Sequence, residues 1–237
     1  MTKISFDAGH GYYTAGKRVP DGSMREWEFN DAVVKLCMTS LSKYKAINLL
    51  RVDDSTGRID VPLKDRTGRV NAWKSDVHVS VHANGFGLSG WNSVRGIETY
   101  VYTSKPKGSM SLATKVQANL IKETGGKNRG VKAANFHMLR KSHMTAILVE
   151  CGFMTNRDDA ALLKSHAYRI KCASAIVDGL VTEYGLTLIP MPKKKITPSG
   201  TFYRVVTGSF NDRANAEARM AELERKGFVS FLDVYKK

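Results

Sequence analysis

Val77-His78-Val79-Ser80-Val81-His82 alternates without a break: three valines fall on one face, two histidines and a serine on the other. Strict period-two alternation of β-branched residues marks a half-buried strand. It also argues against a helical zinc pair, because His78 and His82, four apart, share a helix face only if the segment is a helix. Two other β-type runs lead to a chemically able residue in the same way. Ile4-Ser5-Phe6-Asp7 runs into Ala8-Gly9-His10-Gly11, and Ala146-Ile147-Leu148-Val149 into Glu150-Cys151-Gly152-Phe153. In open α/β sheets, ligands bind beyond the carboxyl ends of the strands. Three functional side chains delivered to one sheet edge therefore predict a site.

Working outward, residues 1–185 alternate strand-like and helix-like segments, which predicts a three-layer α/β domain with a mixed sheet flanked by helices. Met24 to Leu41 reads as a helix, with Phe29, Val33, Leu36, Cys37 and Leu41 at helical spacing. Gly96 to Tyr102 reads as a strand, and Ser109 to Glu123 as a helix with Leu112, Val116 and Leu120 in register. Thr155 or Asn156 is placed to cap a helix whose first turn holds Asp158 and Asp159. Ile170 to Tyr184 is the last helix of this domain, closed by Gly185.

The composition then changes. Pro190-Met191-Pro192-Lys193-Lys194-Lys195 and Thr197-Pro198-Ser199-Gly200 read as an exposed linker, assigned to residues 186–200. Residues 201–237 read as one β-α-β unit. Its strands are Phe202 to Phe210 and Phe228 to Tyr235. Its helix is capped by Asn211 or Asp212, striped by Ala216, Met220 and Leu223, and stopped by Gly227. A unit this small hardly buries a stable core, so it is expected to dock on something, with a second copy of the chain as the candidate.

Apolar residues make up 42% of the 237, enough for a packed core. No apolar run approaches the length of a membrane span, and Met1-Thr2-Lys3-Ile4-Ser5-Phe6-Asp7 lacks a secretory leader's apolar stretch. The expectation is a chain made in the cytoplasm that acts elsewhere only after release. Three cysteines cannot form a complete disulfide set. Cys37 and Cys172 lie in apolar helical runs and are expected in the core. Cys151 as a nucleophile is the lesser alternative to Glu150 beside it. Lys and Arg outnumber Asp and Glu by 27 to 17 over residues 1–185 and by 10 to 5 beyond, for a net charge of +15. Such a field draws a chain toward polyanions; nucleic acid, anionic lipid and wall teichoic acid all qualify, and charge does not choose.

A catalytic zinc site needs three protein ligands and one open position. His10 sits in a tight turn between glycines, His82 leaves a strand, and Glu26 opens a helix, where a carboxylate is favoured. Asn30, one turn on, shares Glu26's face and is placed to hold it. Glu28 and Glu98 are alternatives for the acidic ligand. Glu150 after an apolar run is costly without a purpose and supplies a base for water and an acid for a leaving amine. His78 is expected to be a packed side chain. His137, His143 and His166 lack a second ligand at useful spacing.

In this order, the motifs resemble the zinc-dependent N-acetylmuramoyl-L-alanine amidases of the amidase-3 family. The resemblance is carried by Asp7-Ala8-Gly9-His10-Gly11, Glu26 with Asn30, Arg66 with Ala72, Ser80-Val81-His82-Ala83-Asn84, and Gly96-Ile97-Glu98-Thr99-Tyr100. It continues through Asn128-Arg129-Gly130-Val131-Lys132, Leu139-Arg140 and the stretch Leu148 to Asn156. It implies that His10, Glu26 and His82 bind zinc and that Glu150 is the catalytic carboxylate. His78 stands where an apolar residue is usual, and His137 where an aromatic is usual. Phe202 to Phe210 and Ala216 through Phe231 resemble the first half of a SPOR repeat, a family that binds peptidoglycan glycan; Val206 replaces the usual Gln, and the second half is missing.

The resulting expectation is a peptidoglycan hydrolase that cuts between N-acetylmuramic acid and L-alanine. Zinc is its cofactor, and the wall with its anionic polymers is its partner. Neither nucleic acid nor membrane is expected as a partner. A phage endolysin released through a holin and a mother-cell lysis enzyme are the two settings. The rivals are a non-catalytic basic binder of wall polymer or nucleic acid, and a zinc peptidase of the stem peptide.

Overall fold

Six strands form one mixed sheet in the order β2-β1-β3-β6-β4-β5. The computed structural model describes residues 1–87, 90–190, 207–228 and 230–234. The strands are β1 (Thr2–Ala8), β2 (Ile47–Arg51), β3 (Val77–Asn84), β4 (Ile97–Val101), β5 (Asn128–Ala133) and β6 (Thr145–Phe153). The pairs β1–β2, β1–β3 and β3–β6 are parallel; β4 runs antiparallel to β6 and parallel to β5. The helices of this part are α1 (Glu26–Leu41), α2 (Leu63–Trp73), α3 (Lys107–Thr124), α4 (His137–Arg140), α5 (Arg157–Lys164) and α6 (His166–Tyr184). The chain divides into two compact units, Met1–Thr187 and Leu188–Lys237.

The alternation read in the sequence becomes a difference between the two sheet faces. Ile4, Phe6 and Ala8 of β1, Val77, Val79 and Val81 of β3, and Ile147, Val149 and Cys151 of β6 join one buried core with residues of α1, α3 and α6. The opposite face is polar along β1 and β3, where Ser5, Asp7, His78 and Ser80 are all buried. There Arg66 of α2 reaches Asp7, while Leu139 of α4 packs on Ala146 and Leu148 of β6. Helices on both faces give the expected three layers. His78 is fully buried, as expected of a packed side chain, with Nδ1 2.9 Å from Ser5 Oγ. All three cysteines are buried and free.

Two strands run further than their apolar stretches. His82 and Glu150 lie inside β3 and β6 near their carboxyl ends, not beyond them, and face each other in register. Backbone pairing continues past the last valine because the parallel ladder needs only N–H and C=O groups. At α5, Asn156 is the cap: its side chain accepts from the N–H groups of Asp158 and Asp159 at 3.1 and 3.2 Å. Gly185 closes α6 in the left-handed conformation, φ +59°.

In the second unit, α7 (Arg213–Arg225) is capped by Asp212, whose carboxylate accepts from the Asn215 N–H at 3.2 Å. Residues 191–200 of the expected linker 186–200, and residues 202–206, 229 and 235 of the two expected strands, lie outside the described residues. The described parts of those strands, 207–210, 228 and 230–234, are not in strand conformation. Among the described residues, the β-α-β expectation is met by its helix. Among the described residues, no helix is long and apolar enough to cross a membrane.

Candidate metal centre

Three separate elements bring His10, Glu26 and His82 together, each with a ligand atom within 4.8 Å of the others. Among the described residues they are the group able to hold a metal ion. His10 sits in the turn after β1 with φ +65°, a left-handed conformation uncommon for a residue with a side chain. Gly9 before it makes room. A Cβ built there would fall 2.1 Å from the His82 ring, so the ring occupies space that only glycine leaves open.

Glu26 opens α1, 1% exposed. Its backbone N–H donates to the Lys17 carbonyl at 2.9 Å, which ties Glu26 to the preceding strap. Its Oε1 lies 3.0 Å from His82 Nδ1, and it accepts from the Ala83 N–H at 3.3 Å and from Asn30 Nδ2 at 3.4 Å. The Asn30 amide also donates to the Gly9 carbonyl at 3.0 Å, so it holds both the turn and the carboxylate, the role its spacing implied. Glu26 Oε2 is buried with no hydrogen-bond partner, 3.5 Å from His10 Nε2 and 3.8 Å from Lys17 Nζ. A buried carboxylate oxygen left without a donor, facing two imidazoles, fits a cation.

The alternative acids are occupied elsewhere. Glu28 accepts from the Arg25 N–H at 2.6 Å at the start of α1. Glu98 takes Asn84 Nδ2 and Tyr100 Oη, each at 2.7 Å, and both Arg129 and Lys132.

Glu150 is half-buried, and its Oε2 has no hydrogen-bond partner. Burial, with the Glu26 charge adding, pushes its carboxyl up to about 8, while His82 pulls the other way. Burial pulls His10 down to about 4, against the attraction of Glu26. For His82, burial lowers the value, but the hydrogen bond to Glu26 and the charges of Glu150, Glu26 and Asp7 outweigh it, and the net direction is up. Glu26 moves down despite burial, because both imidazoles and Lys17 favour its charge.

Other participants have no signal in local sequence. Arg66, 1% exposed, donates to the carbonyls of Ala8 and His10 at 2.9 and 3.1 Å and to Asp60 at 2.9 Å, and so shapes the turn that carries His10. The family resemblance alone marked it. Ser80 Oγ donates to Asp7 Oδ2 at 2.9 Å and lies 3.1 Å from His82 Nε2. Lys17, 42% exposed, brings a cation to Glu26 from a segment that carries no pattern. A cavity of about 280 Å³ opens beside the centre, lined by His10, His82 and Gly9 on one side and Asp60 to Leu63 on the other.

Residues 4–182 match the family described as N-acetylmuramoyl-L-alanine amidase (Amidase_3), and residues 173–232 match the SPOR domain. A sporulation-specific N-acetylmuramoyl-L-alanine amidase of Bacillus subtilis (strain 168) is 31% identical over 98% of this chain and 84% of its own length. The endolysin of Bacillus phage SPP1 is 33% identical over 84% of this chain and 73% of its own. The crystal structure of an N-acetylmuramoyl-L-alanine amidase from Clostridium difficile 630 superimposes with a TM-score of 0.71 at 31% identity, over 76% of this chain and 95% of that one. A family match across most of the chain, a shared fold and the motif order agree: the chain belongs to the Amidase_3 family of N-acetylmuramoyl-L-alanine amidases, peptidoglycan hydrolases, and carries a SPOR match at its C-terminal end.

Proposed function

We propose that this chain cleaves the amide between N-acetylmuramic acid and L-alanine with a zinc ion held by His10, Glu26 and His82 and with Glu150 as the catalytic carboxylate. One observation carries the reading: three ligand atoms converge within 4.8 Å around a buried Glu26 oxygen that has no donor. Two imidazoles and one carboxylate suit zinc and leave a position open. A bound zinc supplies Lewis acidity and brings the pKa of a water down to about 7. Glu150 takes the proton of the attacking water and passes it to the departing nitrogen of L-alanine, as the C–N bond breaks and the C–O bond forms. Burial raises its carboxyl above the usual carboxylate range, the direction that suits a group that must first take a proton and then give it. Lys17, Asn30 and Arg66 hold the strap, the carboxylate and the turn in place.

In this reading residues 1–185 carry the chemistry, 186–200 link, and 201–237 form a SPOR-like half-repeat that binds wall. The half-repeat engages glycan and anionic wall polymer, and pairs with a second copy of the chain. The enzyme reaches the wall from the cytoplasm by release. Relatives named as a phage endolysin and as a sporulation-specific amidase support the two settings. Mass spectrometry of digested wall tests the reaction: intact stem peptides with a free L-alanine amino group are expected. Products cut within the stem would make it a peptidase.

A further inference from the structure

Ser80 Oγ stands between a carboxylate and an imidazole, and its single hydrogen decides what the imidazole does. Asp7 and Ser80 are neighbours across the β1–β3 ladder, and His82 is two residues along on the same face. Asp7, 1% exposed, holds the Arg66 guanidinium on Oδ1 and the Ser80 hydroxyl on Oδ2. Paired with arginine, this carboxylate is an acceptor only, so the serine hydrogen is committed to it. Ser80 Oγ, 3.1 Å from His82 Nε2, can then only accept, and Nε2 must carry a hydrogen. Nδ1 lies across the ring, 3.0 Å from Glu26 Oε1, among the ligand atoms. The reversed ring would put carbon atoms against both Ser80 and Glu26.

We infer that Asp7 and Ser80 form a buried relay that holds His82 in its Nε2-protonated tautomer, so that Nδ1 is the nitrogen offered to the metal. The inference rests on the zinc reading above. Asp7 and Ser80 are positioning residues: they act through His82. Outer hydrogen-bond partners of a ligating histidine typically change metal affinity by about 10–100-fold when removed. Ser80→Ala deletes the relay's middle member and leaves the Asp7–Arg66 pair intact.

The full chain, loaded with zinc and labelled with ¹⁵N-histidine, gives a direct test by NMR. His82 should show a proton on Nε2 and metal on Nδ1; a proton on Nδ1 with metal on Nε2 overturns the relay without recourse to any variant. By chelator competition, Ser80→Ala should hold zinc roughly 10–100-fold more weakly. Ser80→Thr, which keeps the hydroxyl, should recover most of that loss. Ser5→Ala removes a hydroxyl from the same face, one that donates to the Val77 carbonyl, and should leave zinc affinity unchanged. A Ser80→Ala protein with wild-type zinc affinity overturns the relay while the zinc site stands. A wild-type chain that binds no zinc would instead overturn the reading beneath it.

Discussion

Glu150→Gln keeps the shape of the side chain and removes its proton chemistry. Turnover on muropeptides should fall roughly 100-fold or more, the usual share of a general acid–base group, with zinc content unchanged. Loss of zinc from this variant would make Glu150 a ligand. His78 offers a second experiment at this scale. Burial holds its ring at about 4 against an ordinary 6.5, with Asp7 opposing. Below about pH 6.5 the unfolded chain takes up a proton that the folded chain refuses, so stability falls as pH drops toward about 4 and then levels off. The loss from this one ring is on the order of 3 kcal/mol. His78→Leu should therefore lose less stability on acidification than the wild type, measured as urea midpoints near neutral pH and at about pH 4.5. Parallel losses in both proteins would remove His78 from the account. Residues of this kind were legible where a short motif surrounds them: Gly-His-Gly for His10, the alternating valines for His78 and His82, the apolar run before Glu150. Ser80, Asp7 and Lys17 were not, because their meaning lies in contacts such as Asp7 to Ser80, 73 positions apart in the chain.

Elements were legible in proportion to how regularly apolar residues recur along them. β1, β3 and β4 announce themselves by apolar alternation, β6 by a continuous apolar run, and α1, α3 and α6 by helical stripes. α2 has no such stripe: its buried residues are Arg66, Thr67 and Val70, two of them polar, because it covers the sheet's polar face. β2 is an edge strand of intermediate or exposed residues, so Ile47-Asn48-Leu49-Leu50-Arg51 shows no clear alternation. The α5 cap was narrowed to Thr155 or Asn156, and only the backbone decides between them. Asn156→Ala removes the one oxygen that accepts both cap hydrogen bonds, which should cost about 1 kcal/mol and lower Tm by roughly 2–4 °C in a unit of this size. Asn156→Asp, which keeps the acceptor, should recover most of it. A wild-type Tm in Asn156→Ala, by calorimetry of the zinc-loaded protein, would show that the cap contributes nothing.

At the scale of the whole molecule, the two units differ in how much they bury. The first holds a continuous core across the apolar face of the sheet. Among the described residues of the second, Ala216 is the buried hydrophobic, while Phe210, Phe228 and Phe231 are 46%, 57% and 70% exposed. With so little interior among its described residues, the segment is better suited to a partner surface than to independent stability. Its composition changes and its SPOR resemblance were readable from sequence; of its two expected strands, residues 202–206, 229 and 235 lie outside the described set and the described parts are not in strand conformation. Deleting residues 190–237 should leave a folded zinc enzyme that still cuts small muropeptides at the wild-type rate, since every residue of the metal centre precedes position 151. Whole walls should be bound and lysed more weakly. The deletion also removes the Lys193-Lys194-Lys195 run. If those lysines act on anionic wall polymers, the gap between full-length and truncated protein should narrow at high salt, where the screening length shrinks to about 3 Å at 1 M. Attraction through aromatic faces against sugar rings would survive the same salt. Pull-down of both proteins by purified wall, at low and high salt, separates the two contributions, and equal retention under both conditions would show that the C-terminal segment is not a wall-binding module.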